Sequence, residues 1–242
     1  MLKGLLNGLI DVIFPRACII CKTKLKDVAS IDNIICVTCW TKIKKNMPPF
    51  CFHCGRHMEI TPFTKNICSS CMRSNLHFDR AFSPCVYEGV IKDLIHKFKY
   101  KNKDYLGHLL SRPMIEFIKE YNIDLGMIDL IIPIPLHRTK LREREFNQAL
   151  ILSNYLAKEF NRTVSTGILV KKRYTKTQTE LREEKRFLNV KDSFCVIKPD
   201  TVKQKNILLI DDVLTTGATA SEAAYALKDA GAHLVFVMTL AN

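Results

Sequence analysis

No stretch of this sequence approaches the roughly 18 uninterrupted apolar residues of a membrane-spanning helix, so no spanning segment is expected. The apolar opening, "MLKGLLNGLIDVIFPRAC", is interrupted by Asp11 and lacks a small-residue cleavage site before Pro15 and Arg16, which argues against a secretory signal. Leu2, Leu5, Leu6, Leu9, Ile10 and Ile13 instead share one helical face, the pattern of a short amphipathic helix docked on its own domain. Acidic residues are scarce: 24 Asp and Glu against 37 Lys and Arg leave a net charge of +13. That balance suits a polyanionic partner or substrate. No internal repeat is visible apart from one cysteine motif. With 47% apolar and 25% charged residues the chain is globular rather than disordered, and 242 residues allow one ordinary domain plus a smaller module.

Eight of the ten cysteines form four C-x-x-C pairs: Cys18/Cys21, Cys36/Cys39, Cys51/Cys54 and Cys68/Cys71. The pairs are separated by 14, 11 and 13 residues, which suits two structural zinc ions, each held by four thiolates from two knuckles. Sequential pairing predicts a double zinc ribbon, and a cross-braced pairing of first knuckle with third is the alternative. Redox C-x-x-C motifs occur singly, and a secreted disulfide framework would sit oddly beside an α/β domain. His53 and His57 are expected at the surface, since eight cysteines already complete two sites. Cys85 and Cys195 read as core thiols. The first 76 residues carry 11 basic and 4 acidic side chains, a nominal +7 that falls to about +3 when each zinc-thiolate centre contributes −2. "KTKLK" (22–26) and "KIKK" (42–45) are therefore either nucleic-acid patches or a solvated face.

The stretch "ILLIDDVLTTGATASEA" (207–223) concentrates the chemistry. Ile207 to Ile210 is apolar without alternation, as in a strand of a parallel sheet covered on both faces. Helical spacing from Thr219 to Ala230 is followed by Gly231 at the C-cap position, and His233 to Leu240 reads as another strand. Ligands of open α/β sheets bind where strands end and helices begin. Thr215, Thr216, Gly217, Ala218 and Thr219 offer hydroxyls and backbone N–H groups suited to a phosphate. Asp211 and Asp212 point to opposite faces of the strand and need not repel strongly. Beside a phosphate they can accept hydrogen bonds from sugar hydroxyls. A plain turn with a helix N-cap would account for one aspartate and one threonine only.

Elsewhere, "FDRAFSPCVYEG" reads as a strand and turn. Ile91, Leu94, Ile95 and Phe98 mark an amphipathic helix, and a second spans about 105–121. "DLIIPIP" (129–135) is a buried strand running into a basic turn with His137, Arg138, Lys140, Arg142 and Arg144, then a helix. The segment 171–189, with Lys171, Lys172, Arg173 and Arg186, lacks clean periodicity and reads as a mobile loop.

The strand, the two acids and the Thr-Thr-Gly-x-Thr turn resemble the phosphoribosyl-pyrophosphate (PRPP) signature of type I phosphoribosyltransferases. That resemblance implies that Asp211 and Asp212 hold the ribose 2′- and 3′-hydroxyls and that Thr215 to Thr219 cradle the 5′-phosphate. The four knuckles, "PIPLHRTKLREREFNQ", "RYTKTQTELREEKRFLNV" and "LLIDDVLTTGAT" in this order resemble the ComF family of bacterial competence proteins across essentially the whole chain. The family resemblance implies an α/β fold with a type I phosphoribosyltransferase-like parallel sheet, helices on both faces, and a small double zinc-ribbon module in front. The expected boundaries are 1–76 and 77–242. Pro135, Leu136, His137 and Arg138 match the loop that receives pyrophosphate, and Thr177, Gln178 and Arg186 match the family's T-Q-T…R segment. Glu145 departs from the family's pattern, which has glycine there.

The resemblance implies a cytoplasmic bacterial protein that handles single-stranded DNA during natural transformation, with PRPP, Mg²⁺ and other DNA-uptake proteins as partners. A peripheral position at the inner membrane is the alternative location. Arg138, Lys140, Arg142, Arg144, Lys171, Lys172, Arg173 and Arg186 are the expected DNA contacts. "HKFKYKNKDY" (96–105) interleaves basic and aromatic residues in a way that could track a strand, unless Phe98 packs inward. An active phosphoribosyltransferase is the other reading, with Mg²⁺ neutralising the leaving group and segment 171–186 closing over the pocket. No acceptor-recognition element or general base stands out, and no glutamine-hydrolysing nucleophile supports an amidotransferase.

Overall fold

The computed structural model describes residues 16–59, 66–100, 102–174 and 183–242, with the side chains of 183–186 excepted. The amphipathic helix expected within 1–14, and Thr177 and Gln178, lie outside the described residues.

Two short strands, β1 (Ser30–Ile31) and β2 (Ile35–Cys36), pair antiparallel between the first two knuckles. They lead into the single-turn helix α1 (Val37–Trp40), and a second short helix, α2 (Ser69–Arg73), carries Cys71. The chain then enters the sheet through β3 (Arg80–Phe82). Helices α3 (Gly89–Phe98) and α4 (Leu106–Glu120) follow, then β4 (Leu130–Pro133), α5 (Arg138–Arg144) and α6 (Gln148–Phe160). A small antiparallel hairpin of β5 (Leu169–Lys171) and β6 (Phe194–Val196) brackets α7 (Glu183–Val190). The chain ends with β7 (Asn206–Val213), α8 (Ala218–Asp229) and β8 (Leu234–Ala241).

The main sheet has the order β3-β8-β7-β4, with every neighbouring pair parallel. Parallel neighbours need crossovers, which the helices supply on both faces. Helices α4 and α6 pack on one face and α8 on the other. Period-two alternation splits β7 between two cores: Leu208 and Ile210 join the α3, α4 and α6 side, while Ile207 and Leu209 join the α8 side. In α3, Ile91, Leu94, Ile95 and Phe98 are all buried, as their helical spacing predicts. Side chains of this size contribute about 1.5–3 kcal/mol each when fully buried. Phe98 therefore belongs to the core and not to a base-stacking surface.

The ribbons are built into these cores. Cys18, Cys36 and Cys39 belong to the α4-side core, and Cys51, Cys54 and Cys71 to the α8-side core.

Three local expectations change. The strand carrying the acids continues through Val213, because Asp211 stays paired with Thr239 and Val213 with Ala241. The basic "turn" after β4 is helix α5, N-capped by His137, whose Nδ1 accepts from the Thr139 N–H at 3.3 Å. The segment 171–189 is not a loop throughout, since α7 occupies Glu183–Val190. Cys85 is buried as expected, and burial pushes its thiol up to about 12. Cys195 is only half-buried, because it sits on the small hairpin away from the main sheet.

Candidate functional site

The two cysteine clusters settle the knuckle pairing. Cys18, Cys21, Cys36 and Cys39 form one group and Cys51, Cys54, Cys68 and Cys71 the other, with all ligand atoms of each group within 4.8 Å of one another. The Sγ atoms of Cys21 and Cys36 lie 3.6 Å apart, and those of Cys54 and Cys68 lie 3.7 Å apart. A tetrahedral ion with Zn–S of about 2.3 Å has S···S edges of about 3.8 Å, whereas a disulfide requires about 2.05 Å. Backbone N–H groups point at the sulfurs as well, Cys36 N to Cys18 Sγ at 3.4 Å and Cys68 N to Cys51 Sγ at 3.3 Å. Such bonds stabilise thiolate charge. The donor sets fit zinc, and the pairing is sequential. Neither histidine is a member of these groups. His57 is exposed, while His53 is half-buried, its Nε2 2.7 Å from the Phe78 carbonyl.

At the other centre, β7 delivers Asp211 and Asp212 to opposite faces. Asp212 turns toward α3, where Lys99, the residue capping that helix, places its Nζ 2.8 Å from the carboxylate. Burial works against the Lys99 charge, but Asp212, with smaller contributions from Asp211 and Tyr87, holds the ammonium above its ordinary pKa. Asp211 takes the Asp212 N–H at 2.8 Å. Its own carboxyl is pushed up to about 7, first by burial and then by the charge of Asp212. The two acids do face apart, yet Asp211 still feels its neighbour at short range.

Beyond Leu214 the chain turns through Thr215 and Thr216 into Gly217, whose φ of 80° is accessible to glycine at little cost. The Ala218 N–H points to Thr216 Oγ1 at 3.4 Å, and α8 begins there. Residues 215–219 thus form a strand-to-helix turn at the N-terminus of a twelve-residue helix, with the positive end of its dipole facing outward.

The neighbouring strand β4 brings Leu136, His137 and Arg138 to the adjacent strand end, since β4 and β7 pair in parallel from Leu130/Ile207 to Pro133/Ile210. Glu145 ends α5 at φ 70°, which explains why glycine suits this position. The basic residues differ in availability. Arg138 and Arg142 are exposed, whereas Arg144 donates to Gln148 Oε1 at 3.1 Å, and Gln148 in turn donates to the Phe98 carbonyl. Lys140 and Lys171 are partly buried. Burial and the Arg144 charge lower Lys140, while burial and the Lys140 charge bring Lys171 down to about 8. Lys172 is exposed. Arg173 donates to the carbonyls of Asn189 and Lys191 and so ties down the end of α7. The Arg186 side chain lies outside the described residues.

Two residues of this neighbourhood escaped sequence reasoning. Lys99 was visible only as one of several lysines in 96–105. Arg56 follows the third knuckle, and its guanidinium donates to the carbonyl of Thr215.

Comparison with known proteins finds the following similarities. The double zinc ribbon domain model matches residues 9–75. The chain is 27% identical over 232 residues to competence protein F of Haemophilus influenzae, covering 95% of this chain and 98% of that protein. It is also 27% identical to competence protein ComFC of Bacillus subtilis, over 83% of this chain and 80% of that one. Among solved structures, adenine phosphoribosyltransferase from Leishmania donovani overlaps 65% of this chain and 70% of its own, with 14% identity and a TM-score of 0.37. The chain is thus similar to two competence proteins over most of its length, and its N-terminal end matches a double zinc ribbon.

Proposed function

We propose that Asp211, Asp212, the turn Thr215–Thr219 and the β4 end at Leu136, His137 and Arg138 form a PRPP-type sugar-phosphate site in a protein that binds single-stranded DNA during DNA uptake. The observation that carries this reading is the meeting of opposite chemical demands at two adjacent parallel strand ends. On one side stand two carboxylates, one of them raised to about 7. On the other, Lys140 of α5, just beyond β4, adds to the burial that lowers Lys171 at the end of β5. A polyhydroxyl anion answers both demands: its hydroxyls donate to the acids, and its phosphates favour the charged form of the lysines. Mg²⁺ would enter with PRPP and supply positive charge beside its pyrophosphate.

In this reading residues 1–76 are the ribbon module and 77–242 the phosphoribosyl-binding domain, working in the bacterial cytoplasm. Among the described residues no helix is long and apolar enough to cross a membrane. DNA would lie along the exposed Arg138, Arg142 and Lys172, close to the site. The deciding experiment titrates PRPP with Mg²⁺ into the purified chain by calorimetry, alone and after saturation with a single-stranded oligonucleotide. Binding lost in Asp212→Asn supports the site, and wild-type protein that takes up no PRPP refutes it.

A further inference from the structure

The second ribbon is packed against the proposed sugar-phosphate turn. Arg56 stands two residues after Cys54, in a knuckle closed by Gly55 N–H to the Cys51 carbonyl at 2.9 Å and Cys51 N–H to the Arg56 carbonyl at 2.7 Å. From there its Nη2 reaches the carbonyl of Thr215, with the carbonyl of Leu214 at 3.4 Å. Gly55 lets the knuckle come this close: its φ is 70°, and a Cβ there would lie 2.4 Å from the Ala81 carbonyl oxygen of β3. Ala81 N–H donates to the His53 carbonyl at 2.7 Å, which joins knuckle and sheet edge. The space between Cys54, Cys71 and Thr215–Gly217 is only about 10 Å³, so the contact has little slack. On the flank, the His77 N–H donates to Ser221 Oγ of α8 at 3.0 Å.

Peptide groups are planar and trans, so a carbonyl held toward the ribbon aims the following N–H away from it. Arg56 pulls the Thr215 carbonyl toward the ribbon and thereby orients the Thr216 N–H, one of the donors the turn offers. Arginine suits the task, because its guanidinium only donates and keeps its charge at any working pH. Zinc on Cys51 and Cys54 would in turn close the knuckle that places Arg56.

We propose that Arg56 is a positioning residue through which zinc in the second ribbon orders the sugar-phosphate turn, so that zinc occupancy and PRPP affinity are linked. This rests on the proposed PRPP site for its ligand. Linkage makes the coupling reciprocal: PRPP also tightens zinc binding in the second ribbon. The first ribbon joins the other core.

The test uses the full chain as wild type, Arg56→Met and Arg56→Lys. It measures zinc content, amide exchange of residues 214–217, and PRPP affinity with Mg²⁺. Expected is retention of both zinc ions in Arg56→Met, with faster exchange confined to 214–217. PRPP binding should weaken roughly tenfold, the scale of one lost charged hydrogen bond. Arg56→Lys keeps the charge without the planar fork and should fall between the two; it carries the decision if Arg56→Met does not fold. Unchanged exchange at 214–217 overturns the proposal, as does unchanged affinity in a wild type that binds. Should wild type bind no PRPP while exchange at 214–217 rises in Arg56→Met, the ordering by Arg56 stands and the sugar-phosphate reading falls.

Discussion

Replacing Asp211 by Asn should make the unliganded protein more stable at pH 8 while removing PRPP binding. The Asp211 carboxyl is raised from 3.8 to about 7, so its ionised form is disfavoured in the folded chain. The contribution of a group raised in the folded state is fully present below its unfolded value. It is lost as pH climbs through the folded value. Wild type should therefore lose stability relative to Asp211→Asn between about pH 4 and pH 7, with a constant gap above. The full difference corresponds to at most about 4 kcal/mol. Asp211 keeps part of its surface in solvent, which screens the charge, and roughly 1–2 kcal/mol is the expected gain. Asparagine retains an oxygen that can accept the Asp212 N–H, so the local backbone bond is preserved. Urea unfolding of both proteins at pH 4.5 and pH 8 reads the gap directly. A variant less stable than wild type at pH 8, or a gap independent of pH, refutes the reasoning. Such a result would mean that Asp211 serves as a structural residue of β7.

Asp212→Asn should act with the opposite sign. It leaves Lys99 without its partner in a largely buried place and should cost about 1–3 kcal/mol in the same urea experiment. Zinc analysis of freshly purified, reduced protein should return two ions per chain, matching the two cysteine groups, and Cys36→Ser or Cys54→Ser should each remove one. Protein free of zinc would contradict the ribbon. Single-stranded DNA should bind with steep salt dependence and little sequence preference, and Arg138→Glu with Arg142→Glu should weaken it uniformly and flatten the salt slope. Arg144 is kept out of that variant because it holds Gln148. Unchanged affinity would move the DNA surface elsewhere, with the zinc ribbons next to be tried.

The sequence alone determined what depends on neighbours in the chain. Cysteine spacing marked all eight metal ligands, because a knuckle brings two sulfurs to one ion within four residues. Unalternating apolar runs marked β4 and β7, and helical spacing marked α3, α4 and α8, since those periods follow from backbone geometry. Local pattern was weakest where backbone preference and tertiary contact disagree. Residues 138–144 are too charged to look helical with any buried face, yet His137 caps them and Glu145 closes them in the left-handed region. Only the tertiary structure decided partners distant in sequence. It chose sequential over cross-braced knuckles, set Lys99 rather than solvent against Asp212, and laid the second ribbon under Thr215 through Arg56. Those choices depend on where the parallel sheet places its strand ends. That arrangement is set by the packing of the two cores on either face of the sheet, which residue spacing along the chain does not record.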